Sequence, residues 1–110
     1  ARNHEVMADT SEQNGGQDQA MTPHELLESA LAACTSITVK MYAKRKGMKL
    51  TDVEVKVHTE SEGKESLISR KIRLIGDMSV EERTRLLEIA GKCPIHKLLT
   101  SQITIKTDSI

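Results

Sequence analysis

The chain has 110 residues, 16 basic and 16 acidic side chains with a formal net charge of zero, and Tyr42 as its only aromatic residue. With no basic block and no aromatic platform it lacks the footprint of a nucleic-acid binder, and no apolar run approaches the roughly 18–20 residues of a membrane span. The length fits one domain, read over residues 1–110, with a core of Leu, Ile, Val, Ala and Met; so thin an aliphatic core favours a permanent dimer that buries more.

Residues 1–21 are polar, and predict a short strand near His4–Ala8 followed by a loop around Gly15-Gly16. The first residue is Ala rather than Met, so the N-terminal strand is read as incomplete. Thr22-Pro23-His24-Glu25 then opens a long helix: Thr22 is an N-cap, Pro23 suits the first helical position, and Glu25 completes a capping box. Leu26, Leu27, Ala30, Leu31, Ala33, Cys34, Ile37, Thr38, Met41 and Tyr42 recur at three- and four-residue spacing until Gly47 ends the pattern. The middle of this helix is small and uncharged on all sides, which predicts burial all round and a central position.

Val53, Val55 and Val57 alternate with polar residues, predicting a half-exposed strand. A polar turn around Gly63 leads to a second strand in which Ile68, Ile72 and Leu74 share one parity, with Arg70 on that parity as an exception. Ser79-Val80-Glu81-Glu82 is a second capping box and starts a helix reaching Ala90. Cys93-Pro94 starts a short helix carrying Ile95, Leu98 and Leu99, and Ile103 and Ile105 predict a last strand. The order is β-α-β-β-α-α-β, an α+β domain.

Chemistry rests on two cysteines, Cys34 in mid-helix and Cys93 at a helix N-cap. Such placement suits a two-thiol redox site better than a disulfide scaffold, and the absence of secretory features points to a reducing, cytoplasmic setting. Free N–H groups and the positive end of the helix dipole favour a thiolate at Cys93. Cys34 has no such help, so a cation must reach it from elsewhere. Taken alone, Cys93 is equally readable as a buried residue that caps a helix, and Cys34 reads more readily as a core residue packed among Ala and Leu. Cys93 and His96 at C-x-x-H spacing, with Cys34 and one of His4, His24 or His58, leave a zinc site as a further alternative.

The chain resembles the OsmC/organic hydroperoxide resistance family, OsmC-like branch. The resemblance lies in Arg2-Asn3-His4, Gly15-Gly16, Thr22 to Leu27, Ala32 to Thr35, Met41-Tyr42-Ala43, Glu82-Arg83, Leu86 to Ala90 and Lys92 to His96. It implies an OsmC-like α+β fold with a long central helix wrapped by antiparallel sheet in an intertwined homodimer. It implies a thiol peroxidase acting on small organic hydroperoxides, without metal, flavin or heme. Cys34 matches the peroxidatic thiolate, which becomes a sulfenic acid, and Cys93 the thiol that resolves it to a Cys34–Cys93 disulfide; an external, lipoyl-like dithiol reduces that bond. Arg2 matches the arginine that holds thiolate and peroxide. The hydroperoxidase branches carry Glu directly after the helix-opening proline; here that place is His24 and the acid is Glu25. Glu25 lies about 13–14 Å before Cys34 along the helix and about 180° around it, so a role beyond the capping box requires reaching a site across the dimer. A non-catalytic stress or binding protein of this family, with inert cysteines, is the competing expectation.

Overall fold

The computed structural model describes residues 1–110. Helix α1 spans Pro23–Arg45 and opens at the predicted capping box. Thr22 Oγ1 accepts the Glu25 N–H at 3.1 Å, and Glu25 Oε1 accepts the Thr22 N–H at 3.0 Å. Such a reciprocal cap contributes about 1 kcal/mol. Lys44 and Arg45 in the last turn complement the helix dipole. Gly47, at φ +70, then takes the left-handed conformation that turns the chain out of the helix.

Strands β1 (Leu50–Ser61) and β2 (Leu67–Gly76) pair antiparallel as a two-stranded sheet. The register sets Val53 opposite Leu74, Val55 opposite Ile72 and Val57 opposite Arg70. The alternating apolar faces of both strands therefore coincide, and Arg70 sits on the apolar face. At Gly76, φ is +151 and a Cβ would collide with the Lys49 carbonyl, so glycine is required where β2 ends.

Helix α2 (Val80–Ala90) carries the second capping box, with Ser79 Oγ accepting the Glu82 N–H at 3.1 Å. Arg83 fastens it to the sheet end by donating to the Leu74 carbonyl at 2.7 Å and the Gly76 carbonyl at 2.6 Å. Helix α3 (Pro94–Leu99) follows after a two-residue turn, with Cys93 as N-cap. The core lies between α1, the sheet and α2, where Val39, Ala43, Val53, Leu86 and Ala90 meet.

Three expectations are corrected. The strand near His4–Ala8 does not form: Ala8 makes only a single parallel bridge with Met21. The segment is instead held by the Asp9 carboxylate, which accepts the backbone N–H groups of Thr10, Gln17 and Gln19. The strand around Ile103 and Ile105 does not form either, and both side chains are exposed. A strand needs a sheet edge to pair with, and neither segment joins β1 or β2. Thirdly, α1 is not covered all round within the chain. Leu31, Thr35, Val39 and Ala43, four residues apart, form one buried stripe, whereas Leu27, Ile37 and Met41 are 44%, 57% and 64% exposed. The sheet covers one side of the helix and does not wrap it.

The exposed surface is 8884 Å², whereas a compact monomer of this mass exposes roughly 6100 Å². The radius of gyration is 16.8 Å, against about 13 Å for a compact domain of this length. The single chain thus leaves much of its apolar surface unpaired.

Candidate functional site

Cys93 is fully buried at the head of α3, where its Sγ accepts the His96 N–H at 3.2 Å. The inward stripe of α1 brings Thr35, also fully buried, to the same place, with Thr35 Oγ1 3.9 Å from Cys93 Sγ. The third contributor is Arg70 on β2. Its Nη1 donates to Thr35 Oγ1 at 3.1 Å, and its Nη2 donates to His96 Nδ1 at 3.1 Å. A guanidinium only donates, so His96 Nδ1 is the acceptor and the ring proton sits on Nε2.

The Thr35 hydroxyl is nearly saturated. Its proton goes to the Leu31 carbonyl at 2.7 Å and one lone pair takes the Arg70 N–H, which leaves the other lone pair for Cys93. Arg70 is half-buried and takes part in none of the ion pairs of the structure. Its N–H groups go instead to the two residues that touch the Cys93 sulfur.

The cluster opens into a cleft of about 460 Å³ bounded by Arg70 and His96 together with Leu27, Leu31, Ile68 and Leu99. Its exposed edge is bridged by His24 and Glu62, 2.9 Å apart, which join the start of α1 to the β1–β2 turn. Beside it, the Thr59 N–H donates to Glu28 at 2.6 Å and, with the nearby His58 and His24, holds the Glu28 carboxyl below the usual glutamate range. Apolar walls around two nitrogen-bearing side chains suit a small organic molecule with one polar end.

Both cysteines are free thiols. Cys34 is half-buried on the flank of α1, one residue before the threonine that touches Cys93. Consecutive helical side chains diverge by about 100°, so Thr35 faces inward while Cys34 points toward the side carrying Leu27 and Met41. The two cysteine segments therefore meet at one level of α1. Arg2 lies in the exposed N-terminal segment, at φ 54, and makes no hydrogen bond or ion pair there. Glu25 is exposed and engaged in the α1 cap. Neither is brought to a cysteine within the chain. His96, considered above as a metal ligand, instead gives Nδ1 to a cation.

Sequence reasoning missed Arg70 and Thr35. The signal for Arg70 was present as the one charged residue on the apolar parity of β2. Thr35 carried none, because a threonine in a row of small helical residues is read as packing.

The family profile for OsmC-like proteins matches residues 16–108. The chain belongs to the OsmC-like family. The fold of this OsmC-like chain agrees with solved structures. An OsmC-like protein from Mycoplasma pneumoniae superposes with a TM-score of 0.74 at 19% identity, over 90% of this chain and 74% of that one. An organic hydroperoxide resistance protein from Legionella pneumophila gives 0.60 at 20%, over 84% and 71%. An OsmC-like protein of unknown function from Vibrio cholerae gives 0.65 at 12%, over 88% and 73%. At such identities the likeness is one of fold. A search of curated proteins found no significant match. No helix of this chain is long and apolar enough to cross a membrane.

Proposed function

We propose that this OsmC-like protein is a two-cysteine thiol peroxidase that reduces small organic hydroperoxides and works as a homodimer in a reducing, cytoplasmic setting. The observation that carries the reading is the contact between Cys93 and Thr35, the neighbour of Cys34. It brings the two cysteine segments together beside a cleft with apolar walls and a cationic group. In the proposed cycle the Cys34 thiolate attacks the peroxide O–O bond, giving a sulfenic acid and an alcohol. Cys93 then attacks the sulfenic sulfur, forming a disulfide and releasing water. An external, lipoyl-like dithiol returns both thiols. Neighbours of the same fold that are hydroperoxide resistance proteins support the substrate class.

The dimer is supported by the uncovered face of α1. Leu27, Ala30, Cys34, Ile37 and Met41 follow the alternating three- and four-residue spacing of a helix–helix seam. The exposed surface of 8884 Å² exceeds the roughly 6100 Å² of a compact monomer and leaves area for a partner to cover. A partner packed there would lie beside Cys34, and Arg2 or Glu25 of a second copy would then have a route to it.

The test is titration of the reduced protein with cumene hydroperoxide, following free thiols and intact mass. Rapid loss of both thiols with a mass decrease of two hydrogens is expected. Cys34→Ser abolishes turnover, and Cys93→Ser permits one stoichiometric oxidation without a disulfide. Equal turnover in wild type and Cys34→Ser overturns the scheme. The complete burial of Cys93 favours a second reading, a non-catalytic stress or binding protein with inert cysteines. Thiols that survive excess peroxide and resist alkylation in the native state would select it.

A further inference from the structure

We infer that Arg70 is a positioning residue for the resolving step, acting on the Cys93 sulfur through Thr35 and His96. The inference rests on the peroxidase reading above and adds to it a residue of β2 and a charge that the cysteine segments do not themselves supply.

Cys93 has two polar neighbours, the His96 N–H and the Thr35 hydroxyl. Arg70 holds both residues, donating one N–H to each at 3.1 Å. With Arg70 donating into Thr35 and the Thr35 proton on the Leu31 carbonyl, the free lone pair of Oγ1 receives the Cys93 thiol proton. The buried thiol is thereby held against Thr35, one residue along α1 from Cys34. When Cys93 loses its proton, the Thr35 hydroxyl can turn from Leu31 to the sulfur, and the unneutralised guanidinium behind it stabilises the charge. Attack on the Cys34 sulfenic acid then forms the S–S bond and breaks the S–O bond. The departing hydroxide takes the Cys93 proton as water, so no further reactant is consumed.

The bond to His96 has a second effect. By occupying Nδ1 it turns the first residues of α3 to a fixed angle, and the His96 backbone N–H stays aimed at the sulfur. Arg70 is suited to this double task because its planar fork presents N–H groups in two directions, whereas a lysine at the same position offers one point charge. The absence of any carboxylate partner leaves that charge undivided. This also accounts for an arginine on the apolar face of β2, opposite Val57.

The experiment separates sulfenate formation from disulfide closure. Full-length reduced protein is mixed with one equivalent of cumene hydroperoxide, with or without dimedone, which traps a sulfenic acid. Closure is read from the mass spectrum over time. In Arg70→Met, closure is expected to slow by about 10- to 100-fold, the loss of one hydrogen bond to a charged group. Arg70→Lys is expected to fall between wild type and Arg70→Met. Thr35→Val, which removes the hydroxyl and keeps the shape, is expected to slow closure in the same way, and Thr35→Ser to restore it; this pair decides the matter if Arg70→Met does not fold. In Thr35→Val, whose side chain does not line the cleft, sulfenate formation at Cys34 is expected to keep its wild-type rate, so dimedone adduct replaces disulfide. Closure at the wild-type rate in Arg70→Met or Thr35→Val overturns the inference while leaving the peroxidase reading intact. Slowing of both steps alike in Thr35→Val overturns it too, by reducing the Arg70–Thr35 pair to scaffold. Absence of any Cys34 sulfenate in wild type is the failure of the peroxidase reading itself.

Discussion

Replacing Ile37 by Asp tests the seam on α1 directly. In the single chain Ile37 is 57% exposed, so a little over half of its burial energy remains to be gained from a partner. Complete burial of an isoleucine side chain contributes about 1.5–3 kcal/mol, which leaves roughly 1–1.5 kcal/mol per copy. A twofold interface counts the substitution twice, so Ile37→Asp removes about 2–3 kcal/mol of association energy before the carboxylate is considered. Burying that carboxylate without a partner adds more. The dimer dissociation constant should rise by at least about 30-fold. Sedimentation equilibrium over a range of protein concentrations measures it, with far-UV circular dichroism as a check that α1 is intact. Because the residue is solvent-exposed in the isolated fold, helicity should be retained. A wild-type protein that sediments as a monomer throughout, or an Ile37→Asp dimer within about threefold of the wild-type constant, would refute the assignment of this face to a second copy.

Two further outcomes follow from the core and from the α1–β1 contact. Leu86 is fully buried against α1 and the sheet, so Leu86→Ala should cost about 3–5 kcal/mol, read as a lower urea midpoint; a loss below about 1 kcal/mol would mean that the site collapses around the truncation. The Glu28 carboxyl is held below the usual glutamate range chiefly by the Thr59 N–H. A lowered folded-state pKa contributes stability that is present above the unfolded value and lost as pH falls through the folded one. Unfolding midpoints measured from neutral pH downward should therefore drop through the acidic range more steeply in wild type than in Glu28→Gln; parallel curves would show that this hydrogen bond does not couple to folding.

The long helix, both central strands and both following helices are legible in the sequence because each carries its own local signal. Thr22 and Ser79 mark caps, Pro23 and Pro94 mark first turns, and Val53, Val55 and Val57 alternate. The two end strands are not found, although Ile103 and Ile105 alternate as a strand should. Alternation states which face a segment would bury, and it is silent on whether a sheet edge lies within reach. Cys93 at a helix N-cap was legible for the same local reason, and the donation of the His96 N–H to its sulfur follows from cap geometry alone. What lies around that sulfur was not, since Thr35 and Arg70 arrive from α1 and β2, 58 and 23 residues away in sequence.

Two departures from local rules, one on α1 and one on β2, share one cause. A helix apolar on every side predicts burial on every side, yet half of that surface is open in the chain. The apolar parity of β2 predicts a core face, and Arg70, the exception on that parity in the sequence, sits on it without a carboxylate in attendance. In each case a local rule is broken because the compensating partner is not local. For Arg70 that partner is within the chain: a threonine and a histidine converge on its fork, and behind them lies a thiol. For Ile37 and Met41, 57% and 64% exposed, the chain's own elements provide only part of the cover. Cys34 lies between the two, half-buried, with the Arg70 cluster on its inner side and the open seam on its outer side. A thiol so placed is finished by whatever packs on the seam, and it follows that peroxide reactivity and dimerisation should fall together when Ile37 is made acidic, while Arg70→Met should leave the dimer untouched.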